Sequence, residues 1–405
     1  MSNTVIVGSG VIGLSIAYYL SEHQPGSTIH LVDPSPELFA SASGYAGGFL
    51  AKDWFSPKSA SLGALSFEEH KRLAEEHDGK DKWGYSSTTT YSHSAAPIQR
   101  SKDGDAWLSQ GGSRAELVEV VDTTSDGPSW LRRSVGDNVQ VIGETDTTAQ
   151  VDPLRLCRFL LAACREAGVH LHHPATVLSV DTDLRGDLAR ARIGDTTSST
   201  ETDVPCTRVV IAAGAWSPRV FTQLFPETSL ELPISSLAGH SLVVKPPGED
   251  PTKAGCHAVF STDGGGYSPE LFSRMGGNVY LAGVNSPGLE LPELPGQTPV
   301  SDAAIRQLKQ TAENIIHVEE GNLEVVRQGL CFRPVTTSGE PILTRIPNNR
   351  LGSDMSTRSG AEGGVFVASG HGPWGISLSL GTGKVMAELM QGRRLSADIS
   401  GLALT

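Results

Sequence analysis

One stretch constrains this chain more than any other. Val5-Ile6-Val7 runs into Gly8-Ser9-Gly10-Val11-Ile12-Gly13, three glycines in the spacing G-x-G-x-x-G. An apolar-periodic segment (Leu14, Ile16, Ala17, Leu20) follows, and a second apolar run, Ile29-His30-Leu31-Val32, ends in Asp33. The pattern predicts a strand, a tight turn, a helix and a second strand closed by a carboxylate, a dinucleotide-binding βαβ unit. Gly8 permits the turn, Gly10 lets backbone amides approach a pyrophosphate at the positive end of the helix, and Gly13 lets helix and sheet pack closely. Asp33 is placed to accept hydrogen bonds from ribose hydroxyls. The glycine spacing alone is weak; strand, helix and acid in the right order make it specific.

The chain has 405 residues, enough for two or three domains. A net charge of −13 argues against nucleic acid or an anionic membrane surface as partner. No apolar run approaches the roughly 18 residues of a spanning helix. The sequence enters its first strand directly from Met1-Ser2-Asn3-Thr4, so no signal peptide is expected and the cytoplasm is the expected compartment. Cys157, Cys164, Cys206, Cys256 and Cys331 are odd in number and include no C-x-x-C, which predicts reduced, buried thiols and no zinc site. His170, His172 and His173 lie in a strand-like stretch whose alternation argues against a shared metal.

Further elements follow from periodicity and punctuation. Ser41 to Leu50 is a run of small residues able to lie flat on a bulky ligand. Ser66 to Lys82 reads as an exposed charged helix ended by Gly79, with His70 and His77 at the surface. Gly84 to Ser92 suits a strand. Asp152-Pro153 starts a helix that ends at Gly168. Strands are expected at Arg208 to Ala212 and Asn278 to Val284, and an amphipathic helix at Ala303 to Ile316. Gly264-Gly265-Gly266 reads as a hairpin tip, and Pro287 to Pro299 as a proline-rich connection. At the end, Gly363 to Gly375 forms a second strand and glycine turn, entering a last helix from Ile376 to Gln391.

In their order and spacing these pieces resemble the D-amino-acid oxidase superfamily of FAD-dependent oxidoreductases, which includes glycine, sarcosine and fructosyl-amine oxidases. The matching stretches are the glycine turn with Asp33, the run at 41 to 50, Gln150-Val151-Asp152-Pro153, Val210 to Ser217, Gly329-Leu330-Cys331-Phe332-Arg333-Pro334-Val335-Thr336, and Ser369-Gly370-His371 to Gly383. The resemblance implies an α/β fold: a Rossmann-like FAD-binding domain assembled from residues 1–50, 150–232 and 330–405, and a mixed-sheet α+β substrate domain from 51–149 and 233–329. The implied FAD contacts are Gly8, Gly10, Val11, Ile12, Gly13, Asp33, Pro34, Ser41, Ser43, Gly47, Gly48, Val177, Ala213, Gly214, Trp216, Cys331, Arg333, His371, Gly372, Gly375, Ile376 and Ser377. The last three fall where such proteins aim a helix N-terminus at the flavin pyrimidine carbonyl, stabilising the anionic reduced flavin.

The chemistry implied is oxidation of the C–N bond of a small amine or amino acid, with hydride passing to flavin N5, the imine hydrolysed, and the flavin reoxidised by oxygen or another acceptor. Arg333 falls where relatives pair an arginine with the substrate carboxylate, a task suited to its planar fork. Cys331 falls where sarcosine and fructosyl-amine oxidases carry a thioether to the flavin. Those enzymes lack the following arginine, so both a noncovalent FAD with a packing cysteine and a covalent link stay open. Leu281 stands at the place of the oxygen-activating lysine of sarcosine oxidase, and Pro373 at that of an arginine in glycine oxidase. These departures leave two alternatives: a dehydrogenase passing electrons to a protein or quinone, and a flavoprotein of regulatory or trafficking role with little turnover. Trp374 and Tyr45 are candidates for an aromatic substrate surface. The expected assembly is a monomer or small homo-oligomer, and no metal is expected.

Overall fold

A computed structural model describes residues 3–94, 113–122, 125–246, 255–262, 267–317, 322–353 and 355–404. The hairpin tip expected at Gly264-Gly265-Gly266 lies outside the described residues.

The short Val/Ile-rich runs associate into a six-stranded sheet in the order Ile342–Ile346, Gly364–Ser369, Arg208–Ile211, Thr4–Val7, Ile29–Val32, His170–His172. All pairs are parallel except the first. Their continuous apolar character, rather than alternation, follows from burial on both faces. The helix Val11–Ser21 lies on one face beside Pro153–Glu166 and the closing helix Ser379–Met390. Pro153–Glu166 starts where the sequence places it: Asp152 accepts the Arg155 amide at 3.1 Å and Pro153 fills the first turn. Its stripe of Leu156, Cys157, Leu160, Leu161 and Cys164 is buried, so both cysteines are core residues. All five cysteines are free and buried.

A second, mixed sheet holds, in order, Glu324–Thr336, Ile234–Lys245, Asn278–Ser286, Glu270–Arg274, Cys256–Thr262, Ser86–Ser94, Thr148–Gln150 and Phe49–Ala51, with Asn138–Gly143 also on Ser86–Ser94. Asp302–Ile315 packs on it through Ile305, Leu308, Ala312 and Ile315. A three-stranded antiparallel sheet (Ala175–Thr182, Leu188–Asp195, Glu201–Pro205) completes the α/β fold. Among the described residues no helix is long and apolar enough to cross a membrane.

Three local expectations are corrected. The helix expected from Ser66 to Lys82 is two helices, Ala60–Glu76 and Gly79–Trp83, and Gly79 begins the second instead of ending the first. A Cβ at Gly79 would sit 2.6 Å from Ala74, so the chain can double back only on glycine. His70 is buried rather than at the surface, its Nε2 bonded to the Ile376 carbonyl at 2.9 Å. Beside it the buried Glu69 takes Lys384, Arg72 and the Tyr19 hydroxyl, so a helix that reads as solvated carries a polar seam against the closing helix. Finally, the closing helix begins at Ser379, after a turn through Gly375 to Leu378, and not at Ile376.

Candidate active site

A cavity of about 420 Å³ runs between the two sheets. Its first end is the glycine turn. Gly8 has φ +108°, and a Cβ there would meet the Ala212 carbonyl oxygen at 2.5 Å; a Cβ on Gly13 would fall 1.9 Å from the Gly8 oxygen. Strand, turn and helix therefore close on one another only with hydrogen at both positions. Val7, Gly8, Gly10, Val11 and Ile12 face the cavity, whereas Gly13 serves this packing and does not line it. Ser43 reaches across from the small-residue run, its Oγ accepting the Val11 amide at 2.9 Å.

Asp33 ends the second strand, buried, with Oδ2 accepting the Ser9 amide at 2.8 Å and Oδ1 accepting the Ser35 amide and hydroxyl. Pro34, Val177, Ala213, Gly214 and Trp216 line the same end. The run at 41 to 50 is held open from behind by groups that its own sequence does not announce. Arg274 donates to the Ala46 and Gly47 carbonyls at 2.8 Å each, Gln150 donates to Gly47 at 2.8 Å, and Ser41 accepts the Phe332 amide at 3.2 Å. Ser41, Ser43, Gly47 and Gly48 all line the cavity.

The proline-rich connection also joins the wall. Trp216 Nε1 donates to the Pro292 carbonyl at 2.9 Å and Arg219 donates to the carbonyls of Leu291, Pro292 and Glu293. Leu294 and Pro295 are thereby set against the cavity.

The second end is walled by the large sheet and the last glycine turn. Arg333 lies across Gly239, where a Cβ would meet its Nη1 at 2.1 Å, and donates to Asn285 Oδ1 at 2.9 Å. Among the described residues no carboxylate forms an ion pair with it. Burial opposes its charge, but Cys331, Tyr280 and Glu270 nearby outweigh that and hold its pKa above the ordinary arginine range. Cys331 lines the cavity beside it, and burial pushes its thiol pKa up. His371 is buried, bonded with the Thr382 hydroxyl at 3.1 Å, and burial drives its pKa down to about 3, so it is neutral. Gly372, Gly375 and Ile376 line the cavity from the turn before the closing helix. Ser377 does not: its hydroxyl accepts the Ala51 amide at 3.0 Å and faces the strand Phe49–Ala51.

Neither aromatic candidate lines the cavity. Tyr45 packs against Gly329 with the Arg327 guanidinium 5.1 Å from its ring. Trp374 stands one layer back, 4.7 Å under the guanidinium of Arg114. That arginine and its partner Glu270 are the charged pair that sequence reasoning missed. Arg114 Nε and Nη2 grip Glu270 Oε1 and Oε2 at 2.7 and 2.6 Å, and both residues line the cavity. They lie 156 residues apart, in stretches with no motif. Leu281, by contrast, belongs to the core on the far face of its strand, while its neighbours Tyr280 and Ala282 face the cavity.

His170 and His172, two residues apart on one strand, point to the same face, as alternation requires. His170 and His172 share one face with His30, whose Nδ1 is 3.1 Å from His172 Nε2. Still, among the described residues no group of three such side chains is placed to hold a metal ion.

A family model described as FAD dependent oxidoreductase (DAO) matches residues 3–389. A Schizosaccharomyces pombe protein named "Putative oxidoreductase C1F5.03c" is 31% identical over 98% of this chain and 96% of its own. Glycine oxidase of Bacillus licheniformis is 23% identical over 98% and 95%. Among solved structures, glycine oxidase of Geobacillus kaustophilus superposes with a TM-score of 0.73 at 21% identity, over 100% of this chain and 98% of that one.

Proposed function

The chain belongs to the DAO family of FAD-dependent oxidoreductases, and from that premise we propose that it oxidises the C–N bond of a small amino acid held by its carboxylate at Arg333. One observation carries this reading. Arg333 is a guanidinium facing the cavity whose hydrogen bond goes to a neutral amide and which has no carboxylate partner among the described residues. A desolvated cation is costly unless paired, and a substrate carboxylate meets its fork with two charge-assisted hydrogen bonds. The names of related proteins point the same way, glycine oxidase being one.

The residues present fit an extended dinucleotide. A Cβ on Gly10 would approach Ser43 Oγ to 2.9 Å, so this wall is bare backbone at the helix N-terminus, and the lining continues from Asp33 to Gly375 and Ile376. Asp33 would hold the adenosine ribose, the glycine turn the pyrophosphate, and the amides of Gly375 and Ile376 the flavin ring. Bound FAD supplies a two-electron acceptor for the hydride from the carbon bearing nitrogen. The chain orients that carbon through Arg333, with Asn285 fixing the guanidinium plane. His371, being neutral, adds no charge, and Tyr280, raised to about 12 by burial, keeps its proton. We read the FAD as noncovalent, because burial keeps the Cys331 thiol protonated and so a poor nucleophile. We likewise read 1–50, 150–232 and 330–405 as the FAD domain; the strand Glu324–Thr336 then passes from one domain to the other.

The test is Arg333→Ala: KM for glycine should rise about tenfold or more while KM for benzylamine stays within about twofold. Equal effects on both would remove Arg333 from the carboxylate role. A second reading concerns the electron acceptor. No lysine lines the cavity among the described residues, which favours an acceptor other than oxygen; stoichiometric peroxide release in air would overturn that.

A further inference from the structure

We propose that Glu270, clamped by Arg114, is the substrate-binding residue that receives the amine end of the substrate, and that this pair selects amino acids in their aminocarboxylate form over plain carboxylates. The proposal rests on the carboxylate role of Arg333 for the other end of the same molecule.

The geometry is that of a built acceptor. Both Glu270 oxygens take an Arg114 N–H, at 2.7 and 2.6 Å, which fixes the carboxylate plane and leaves each oxygen a further lone pair. Arg114 is itself only 4% exposed and is held on three aromatic faces, Phe49, Phe260 and Trp374, at 5.6, 5.2 and 4.7 Å from its guanidinium carbon. Glu270 is less enclosed, its side chain 19% exposed, and it lines the cavity wall together with Phe272, Tyr280, Asn285 and Arg333. Its charge is near enough to act on both Arg333 and Tyr280. The arginine that braces the carboxylate is the more deeply buried of the two, and Glu270 lines the same cavity that Arg333 faces.

Charge counting at this end gives the same answer. Of the charged lining residues, Arg114 and Arg333 contribute two positive charges at this end and Glu270 one negative, a local excess of one, while Asp33, Arg219 and Glu293 line the nucleotide end. An amino acid with neutral amine and ionised carboxylate carries one negative charge and balances it. Its nitrogen, with the lone pair intact for oxidation, still has N–H groups to donate to Glu270. Glu270 serves to orient: both of its oxygens are gripped by the Arg114 guanidinium. A dicarboxylate would meet Glu270 with like charge and be disfavoured.

The experiment uses the FAD-loaded full chain and two probes that differ by one amine: glycine, titrated by anaerobic flavin bleaching, and acetate, titrated by perturbation of the flavin spectrum. In Glu270→Gln the apparent Kd for glycine should rise tenfold or more, while that for acetate stays unchanged or tightens as the positive excess grows. Equal weakening of both probes, or of neither, would overturn the proposal. Should Glu270→Gln lose FAD, the double variant Arg114→Met with Glu270→Gln removes both charges of the pair together and is expected to bind FAD and acetate normally and glycine poorly; normal glycine affinity there overturns the assignment equally. Arg333→Ala reports separately: unchanged acetate affinity in that variant defeats the carboxylate reading without altering the glycine-to-acetate contrast at Glu270.

Discussion

At the nucleotide end of the cavity, Gly8, Gly10, Val11, Ile12 and Asp33 come from one strand, turn, helix and strand within the first 33 residues. At the substrate end, Arg114, Glu270, Asn285 and Arg333 come from four separate stretches brought together by sheet pairing, one ion pair and the Arg333–Asn285 hydrogen bond. The first end works through backbone, the second through side chains. Backbone function needs particular residues at fixed spacing, which leaves a motif; side-chain function needs only that distant positions converge, which leaves none. The contrast predicts different failures at the two ends.

The largest effect is expected at the substrate end. Arg114→Met leaves the half-buried Glu270 without its partner and should lower stability by about 3–5 kcal/mol, most of it recovered in the double variant with Glu270→Gln. Equilibrium denaturation with urea measures both, and an Arg114→Met variant of wild-type stability would show that the pair is not structural. At the nucleotide end, Gly13→Ala drives a methyl into the Gly8 carbonyl. It should cost about 1–3 kcal/mol and abolish FAD retention on gel filtration, while a bright yellow variant would refute the close packing assigned to that turn.

A smaller effect separates the two ends by pH. His371, with a folded pKa of about 3, and His70, of about 4, are neutral when folded but take up protons when unfolded below the ordinary histidine value of about 6.5. Each therefore contributes stability above about pH 6.5 that is lost as the pH falls towards 4. Denaturation midpoints should drop across this window, and His371→Asn should flatten the slope; an unchanged slope would mean that His371 does not titrate this way. The smallest effect is expected of Cys331→Ser, which should retain FAD at full occupancy. Flavin remaining with acid-precipitated wild-type protein would instead favour the thioether.

Legibility followed the same division. Asp33, the glycine turn, the helix at Pro153 and the small-residue run were readable because local rules of capping, turn and period determine them. That Arg333 faces the cavity was readable only through resemblance. Arg114 and Glu270 were not readable, since neither has a neighbour in sequence that marks it. His70 and Glu69 misled because a charged helix looks solvated until a second charged element, here Lys384, is laid against it. Tyr45 and Trp374 were placed in the site by their neighbours in the chain, but the short helix Ala42–Tyr45 and the turn at Gly372 to Trp374 direct them behind the wall.

The most direct test of the account is an anaerobic titration of the FAD-loaded protein with matched pairs of amino acids and their decarboxylated amines, followed by loss of oxidised flavin absorbance. The account predicts bleaching by at least one amino acid at concentrations where its amine counterpart is inert, and loss of that preference in Arg333→Ala. Bleaching by both members of every pair alike, or by none of them, would contradict it.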